Sequence, residues 1–153
     1  MKDMKTLSVA IASDHAGFEM KEEMKRYFAD KVFEVKDFGC FSTDSVDYPD
    51  YAHPLAAAVN AGKYDIGIAI CGSGNGMTMT ANKYRNVRAA LCWNPEIAAL
   101  ARKHNDANVI CLPARFISQG EAEQPVEIFL TTEFEAGRHV ARIYKMSHNE
   151  LLG

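Results

Sequence analysis

The sequence predicts an α/β domain of three layers, in which a five-stranded parallel sheet is covered by helices on both faces. Five short runs are mostly apolar, as expected of strands that are buried on both sides. Helical segments separate these runs, which is the alternation that parallel pairing requires. The 153 residues contain no linker-like break in composition, so we expect a single domain over 1–153 with a proper core.

The predicted strands are short runs rich in Leu, Ile, Val and Ala. They cover residues 7–12, 32–38, 65–70, 87–93 and 108–112. The first strand ends at Asp14 and His15, and the third runs directly into Cys71. Polar and reactive side chains therefore follow two of the buried strands.

The predicted helices depend on apolar spacing and on capping signals. Apolar residues recur at helical spacing over 18–28, and Gly62 closes an alanine-rich helix over 53–61. Asn94 and Pro95 supply an N-cap and a first-turn proline, while Ser118 and Glu121 resemble a capping box. Further helices are predicted over 77–83, over 95–103 and over 138–152.

The composition of the chain argues against several classes of function. The net charge is −3 and the seventeen basic residues are scattered, which argues against a nucleic-acid or membrane-surface partner. No apolar run is long enough to cross a bilayer, and the N-terminus lacks the features of a signal peptide. The four cysteines lie far apart without zinc spacing, so we expect reduced thiols, a cytoplasmic location and no structural metal.

The chemically distinctive residues cluster after strands. In parallel sheets, ligands bind beyond the carboxyl ends of the strands, where the strand order reverses. If the first and third strands are neighbours, Asp14, His15 and Cys71 face one cleft, and Arg115 follows the fifth strand. His104 and Asn105 end the helix before the fifth strand, so they lie less obviously on this rim.

The segment Cys71-Gly72-Ser73-Gly74-Asn75-Gly76 is the most informative. Its alternate glycines let backbone N–H groups approach a ligand, and the following helix begins with its positive end, which suits an anion or a developing oxyanion. The same field favours the thiolate form of Cys71. The alternative is a small buried side chain at a strand end, which is common for cysteine; before this loop we favour chemistry.

Other glycine-loop chemistries do not fit. A nucleotide P-loop needs Lys and then Ser or Thr after its last glycine, whereas Met77 and Thr78 follow here. The dinucleotide fingerprint fails because its third glycine comes one residue early. A cysteine phosphatase loop would need arginine at the position of Met77.

The remaining candidates each have an ordinary structural explanation. Asp14 could cap the first helix, and His104 could be a favourable C-terminal histidine. Arg138 and Arg142 could form a solvated helix face, although guanidinium groups also grip phosphate well. Tyr48 could pack its loop or line a sugar pocket.

The motifs together resemble ribose-5-phosphate isomerase type B. The matching segments are 13–17, 47–49, 71–76, 81–83, 104–109 and 137–139. They occur in order over nearly the whole chain. The resemblance implies a Rossmann-like α/β/α domain, a homodimer or dimer of dimers with active sites shared across the interface, and a small sugar phosphate as partner.

The resemblance also implies a role for each matching residue. Cys71 is expected to move the proton between C2 and C1, and His104 to open the sugar ring with help from Asp14. Ser73 supplies a hydroxyl that moves protons on the sugar oxygens. The amides of Gly72, Ser73, Gly74, Asn75 and Gly76 form the anion hole. The expected phosphate ligands are His15, Arg115, Arg138 and Arg142, and the expected sugar contacts are Asn105 and Tyr48.

The expected activity is the interconversion of ribose 5-phosphate and ribulose 5-phosphate in the pentose phosphate pathway, without a metal or cofactor. One branch of the family uses a glutamate base at the position of Met77, so the cysteine branch is indicated. An isomerase of allose 6-phosphate or galactose 6-phosphate is the alternative enzyme. A non-catalytic phosphosugar-binding module is the alternative outside catalysis.

Overall fold

A computed structural model describes residues 1–152 of the chain. One parallel sheet holds five strands in the order β2-β1-β3-β5-β4. The strands are β1 (Ser8–Ser13), β2 (Glu34–Asp37), β3 (Ile66–Cys71), β4 (Ala89–Leu91) and β5 (Val109–Pro113). The α/β class and the parallel five-stranded sheet predicted from the sequence are confirmed.

Six helices connect and follow the strands. They are α1 (Phe18–Phe28), α2 (Pro49–Asn60), α3 (Asn75–Ala81), α4 (Pro95–Asn105), α5 (Gln119–Thr131) and α6 (His139–Ser147). The predicted caps are present, since the Asn94 side chain accepts from the Ile97 amide and Ser118 forms a capping box with Glu121. These caps satisfy amides that have no partner within their own helices. None of the helices in residues 1–152 has the length and apolarity needed to cross a membrane.

The two faces of the sheet are buried against different helices. On one face, Ile, Val and Leu side chains of the strands pack against α1, α4 and α5. On the other face the central strands present small side chains, among them Ala69, Cys71 and Cys111, to α2 and α3. Because alternate strand residues point to opposite faces, Cys71 shares the small-residue face with Ala69. Its thiol is therefore directed toward the α2 and α3 side.

The strand order reverses between β1 and β3. The chain passes from β1 outward to β2, returns to β3 beside β1, and then builds the other half of the sheet. Loops leaving β1 and β3 diverge at such a point and leave a crevice beyond the carboxyl ends. The condition on which the predicted cleft depended, that β1 and β3 are neighbours, is met.

Several boundaries differ from the predictions. Helix α2 begins at Pro49 rather than at residue 53, because Pro49 occupies the first turn, where a missing N–H costs nothing, and Pro54 is tolerated inside. The strands β2 and β4 are shorter than predicted, and both lie at the edges of the sheet with one neighbour each. The last helix ends at Ser147, and a short 3₁₀ turn over Glu150–Leu152 follows.

Helix α6 packs mainly against α4, and His139 is its one buried residue among those that the structure describes. The apolar side chains of Val140, Tyr144 and Met146 are largely exposed, so little tertiary packing within the chain supports the last turns of this helix. This explains why it is shorter than the predicted span of 138–152.

Candidate active site

Asp14 connects the first strand to the third. Its backbone N–H donates to the Ile70 carbonyl at 3.2 Å. Its side-chain Oδ1 accepts from the amides of Ala16 at 2.9 Å and Gly17 at 3.2 Å, which caps the short turn before α1. Only 7 % of Asp14 is exposed, and it still lines a cavity. Asp14 therefore caps this turn and also lines the cavity.

The glycine loop follows β3 at the crevice. The carbonyls of Cys71 and Gly72 accept from the amides of Ala114 at 2.9 Å and Arg115 at 3.0 Å, which ties the loop to the end of β5. Gly74 adopts φ +79°, and a Cβ on it would lie 2.3 Å from Leu91 Cδ1. Only glycine fits this turn without strain.

The loop leaves backbone donors free. Within residues 1–152, the amides of Gly72, Ser73, Gly74 and Gly76 have no protein acceptor, whereas the Asn75 amide donates to Ser73 Oγ at 3.2 Å. Unpaired N–H groups at one concave turn attract an anion or a developing oxyanion. The anion-hole chemistry expected of this loop therefore has donors available.

A cavity of about 510 Å³ opens above Cys71. The glycine loop contributes Gly72, Ser73, Asn75 and Gly76 to its wall. Asp14, Tyr48 and Arg115 approach from three other segments, so eight predicted site residues, including Cys71, line one cavity. Met79 and Phe116 complete it, and sequence reasoning missed both because an apolar residue gives no signal of being exposed.

Two further predicted site residues, Gly74 and His15, lie beside this cavity rather than in its wall. Gly74 is buried beneath the loop as its left-handed residue. His15 is adjacent to Asp14, and its Nδ1 accepts from the Val46 amide at 3.1 Å. The Nδ1 atom is thus used to hold the 42–48 segment, which leaves Nε2 of His15 for a ligand.

The other cysteines differ from Cys71 in their surroundings. Burial raises the pKa of Cys92 to about 12, and it raises the pKa of Cys111 to about 12 as well. Neither side chain lines a cavity described here, and all four thiols are free. Cys71 is the cysteine that borders the site cavity.

The remaining four predicted residues lie elsewhere. His104 and Asn105 end α4, and a helix between parallel strands ends at the amino edge of the sheet, opposite the edge where Cys71 lies. Asn105 lines a different cavity of about 620 Å³ beside α6, which shares no lining residue with the first. Arg138 and Arg142 are exposed at the start of α6. Within one chain, the structure does not bring these residues into the Cys71 cavity.

His104 belongs to a compact group with two residues that the sequence had not assigned. Its ring stacks on that of His139, with centroids 4.4 Å apart and planes 17° apart. The Glu135 carboxylate lies 3.8 Å from His104 Nε2 and 3.9 Å from His139 Nε2. Burial, together with His104, Arg138 and Arg142, holds the pKa of His139 below its ordinary value, although Glu135 opposes this.

This group has donor atoms of metal-binding type within 4.8 Å of one another. A metal ion lies near the plane of each imidazole that binds it, and two rings stacked face to face cannot both satisfy this at one point. The positive charges of Arg138 and Arg142, which act on His139, also disfavour a cation.

The fold and the crevice define the class of this protein, an α/β domain of Rossmann-like topology with a cavity at its switch point. The chain belongs to the ribose/galactose isomerase family, whose family model matches residues 9–146. The relationship inferred from the six motifs is therefore confirmed.

Individual relatives agree with the family. The chain is 39% identical over 135 residues to ribose-5-phosphate isomerase B of Escherichia coli, covering 88% of this chain and 91% of that protein. A ribose 5-phosphate isomerase structure from Thermotoga maritima matches with a TM-score of 0.90 and 48% identity, covering 92% of this chain and 97% of the other. A ribose-5-phosphate isomerase B from Mycoplasma genitalium, solved with bound ribulose-5-phosphate, matches with a TM-score of 0.87 and 42% identity, covering 91% and 93% of the two chains.

Proposed function

We propose that this protein interconverts ribose 5-phosphate and ribulose 5-phosphate with Cys71 as the catalytic base. The observation that carries the proposal is the position of Cys71 at a cavity of about 510 Å³ beside four unpaired backbone amides. The family relationship and the Mycoplasma genitalium relative with bound ribulose-5-phosphate support the same activity. The enzyme is a sugar-phosphate aldose–ketose isomerase.

The reaction moves one proton between adjacent carbons. The Cys71 thiolate takes the proton from C2, the C–H electrons form a C1=C2 double bond, and O1 takes the negative charge. The thiol then returns a proton to C1, while the proton on O2 passes to O1 and leaves a ketone at C2. In this proposal the Ser73 hydroxyl relays that oxygen-to-oxygen transfer. A positioned base of this kind contributes about 10²–10⁴-fold to the rate.

The charge on the enediolate needs donors that are already oriented. The glycine loop provides them as the free amides of Gly72, Ser73, Gly74 and Gly76, and Asn75 lines the same cavity. Removing one such donor from an oxyanion hole costs about 3–4 kcal/mol in comparable enzymes. The chain's own amides can therefore supply the main stabilisation of the intermediate.

Phosphate binding orients the sugar over Cys71 but takes no part in the proton transfer. Arg115 lies on the cavity wall and forms no ion pair among the described residues. His15 follows Asp14, which lines the same wall. Arg138 and Arg142 are exposed and cationic, but they lie away from this cavity in the same chain. We assign all four residues to the phosphate.

A second copy of the chain completes the site in this proposal. His104, which opens the furanose ring with help from Asp14, and Asn105, which contacts the sugar, lie at the opposite edge of the sheet from Cys71. Only another subunit can bring them to this cavity without unfolding α4. We therefore propose a homodimer, or a dimer of dimers, in which each cavity receives His104, Asn105, Arg138 and Arg142 of its partner.

The broader assignments follow from this activity. We propose that residues 1–153 act as one isomerase domain on a small sugar phosphate in the pentose phosphate pathway. The cytoplasmic location and the independence from metals and cofactors, both expected from the sequence, stay predictions.

The direct test is an assay of ribulose 5-phosphate formation from ribose 5-phosphate by the purified protein. Allose 6-phosphate and galactose 6-phosphate serve as matched six-carbon substrates, because the family description includes galactose. The proposal expects the highest kcat/KM on ribose 5-phosphate. A higher value on either six-carbon substrate would contradict it, and binding without turnover on all three would favour a phosphosugar-binding module.

A further inference from the structure

Three large apolar or aromatic side chains surround the opening of the Cys71 cavity. Tyr48 is 41 % exposed, Met79 is 65 % exposed and Phe116 is 76 % exposed, and all three line this one cavity. They come from separate elements, namely the start of α2, the middle of α3 and the segment after β5. Single exposed apolar residues are ordinary, but their convergence on one opening needs an explanation.

The floor of the cavity is polar, in contrast to this rim. Cys71, Asp14 and the free amides of the glycine loop lie below, and nothing in the core requires Met79 or Phe116 to be apolar. Neither residue belongs to the two buried clusters of the fold. Their apolar character is therefore available for contact with a bound ligand.

Water at this position would interfere with the proposed reaction. A thiol that carries the proton from C2 can exchange it with solvent before returning it to C1. Excluding water prevents this exchange and strengthens the interaction of the loop amides with the enediolate. Apolar side chains at the opening of a polar cavity would provide this exclusion once they contact a bound sugar.

We propose that Met79 and Phe116 cover the reacting carbons of the bound sugar phosphate and keep water from the enediolate. The inference rests on the proposed isomerase function and adds to it two residues that take no proton themselves. The proton that leaves C2 stays on Cys71 Sγ, and the same proton forms the new C–H bond at C1. No oxidant, reductant or further reactant takes part.

The experiment follows that proton. Wild-type protein converts ribose 5-phosphate in D₂O, and deuterium at C1 of the early ribulose 5-phosphate is measured by NMR. We expect a minor fraction of deuterated product for the wild type, because most transfers are completed before exchange. Phe116→Ala and Met79→Ala should each raise that fraction by about threefold or more, since water then reaches the thiol.

The control is Phe33→Ala. Phe33 is 72 % exposed, close to the value for Phe116, but it does not line the cavity. This variant should give the wild-type deuterium fraction, and Phe116→Leu should restore most of the protection. Met79 and Phe116 are exposed in the single chain, so their truncation should leave its fold intact. A thermal unfolding curve checks the fold of each variant, and size-exclusion chromatography checks that the proposed dimer still forms.

Two results would overturn the proposal. One is complete deuteration of the wild-type product, which would mean that the rim excludes no water. The other is an unchanged deuterium fraction in Phe116→Ala, Met79→Ala and the double variant. Failure of the isomerase function itself is recognised separately, because the wild type would then form no ribulose 5-phosphate.

Discussion

The ring of Tyr48 lies directly over Gly76, so close that a Cβ on Gly76 would stand 2.4 Å from Tyr48 Cε1. Gly76 has an ordinary backbone conformation, so it is the absence of a side chain, rather than any special φ, that admits the ring. Glycine at this position therefore places Tyr48 on the cavity wall. The contact joins α3 to the start of α2 above the site.

Replacing Gly76 by alanine tests this relationship. The added methyl must displace the Tyr48 ring, and a misplacement of about 1 Å in an active site can cost on the order of 10²-fold in rate. We expect Gly76→Ala to lower kcat/KM on ribose 5-phosphate by a factor of that order. The matched control is Gly120→Ala, which meets nothing within 4 Å and lies in α5. It should retain activity and gain about 0.5–1 kcal/mol in stability; equal activity in both variants would contradict the packing argument.

Cysteine labelling should distinguish Cys71, which is buried but borders the cavity, from Cys92 and Cys111. Iodoacetamide reacts with the thiolate, and burial raises the pKa values of Cys92 and Cys111 to about 12, so neither reacts near neutral pH in the folded protein. We expect peptide mass spectrometry to find alkylation at Cys71, with ribulose 5-phosphate slowing it. Faster labelling of Cys92 or Cys111 than of Cys71 would be incompatible with this assignment.

Subunit mixing tests the shared site. Cys71→Ala and His104→Asn should each be nearly inactive alone. If each cavity uses His104 of the partner, a mixed dimer has one intact cavity and one cavity that lacks both residues. Because only mixed dimers contain an intact cavity, random mixing of the two variants should restore about a quarter of the sites. Activity should then recover after joint refolding but not after mixing two samples of one variant. No recovery in verified mixed dimers would place both residues in a site within one chain.

Acid stability should depend on Asp37. Burial opposes its charge, but hydrogen bonds from Lys21 at 2.6 Å and Lys25 at 2.8 Å outweigh this and lower the pKa of Asp37. A lowered carboxyl pKa stabilises the fold above the unfolded value of about 4, and that contribution is lost as pH falls through the folded value. Asp37→Asn should therefore be less stable by on the order of 2 kcal/mol at pH 7, with a smaller deficit near pH 3.

Urea unfolding at the two pH values measures this difference, with Asp44→Asn as the control. Asp44 is exposed and forms no ion pair among the described residues. A deficit for Asp37→Asn that is the same at both pH values would mean that the carboxylate charge is not responsible. The Asp37 carboxylate is also connected to the site. It accepts from the Gly39 amide, and the Gly39 carbonyl accepts from the amide of Ser13, the residue before Asp14.

The sequence predicted those parts of the fold that local patterns determine. The helix over 18–28 was predicted with its observed bounds, because its apolar spacing and the flanking turns agree. The start of α2 was predicted too late, since Pro54 resembles a first-turn proline while Pro49 has that role. Edge strands were overextended, because an apolar run does not reveal that one neighbour is missing.

The part of the site that the sequence predicts is the part that strand order alone brings together. Asp14 and Cys71 end neighbouring parallel strands, so their proximity follows from strand order alone. His104 ends a helix that runs against the strands, so topology puts it at the opposite edge of the sheet from Cys71, and its proposed role at the cavity depends on a second subunit. Phe116 was missed for a different reason: its exposure depends on the three-dimensional shape of the segment after β5.

The most direct test of the account is the turnover of Cys71→Ala on ribose 5-phosphate, with Cys92→Ala as the matched control. Cys92 is fully buried away from the cavity, so its variant should keep turnover. We predict that Cys71→Ala remains folded and binds ribose 5-phosphate with similar affinity but loses about 10²-fold or more in kcat. Turnover of Cys71→Ala close to that of Cys92→Ala would contradict the role of Cys71 as the base.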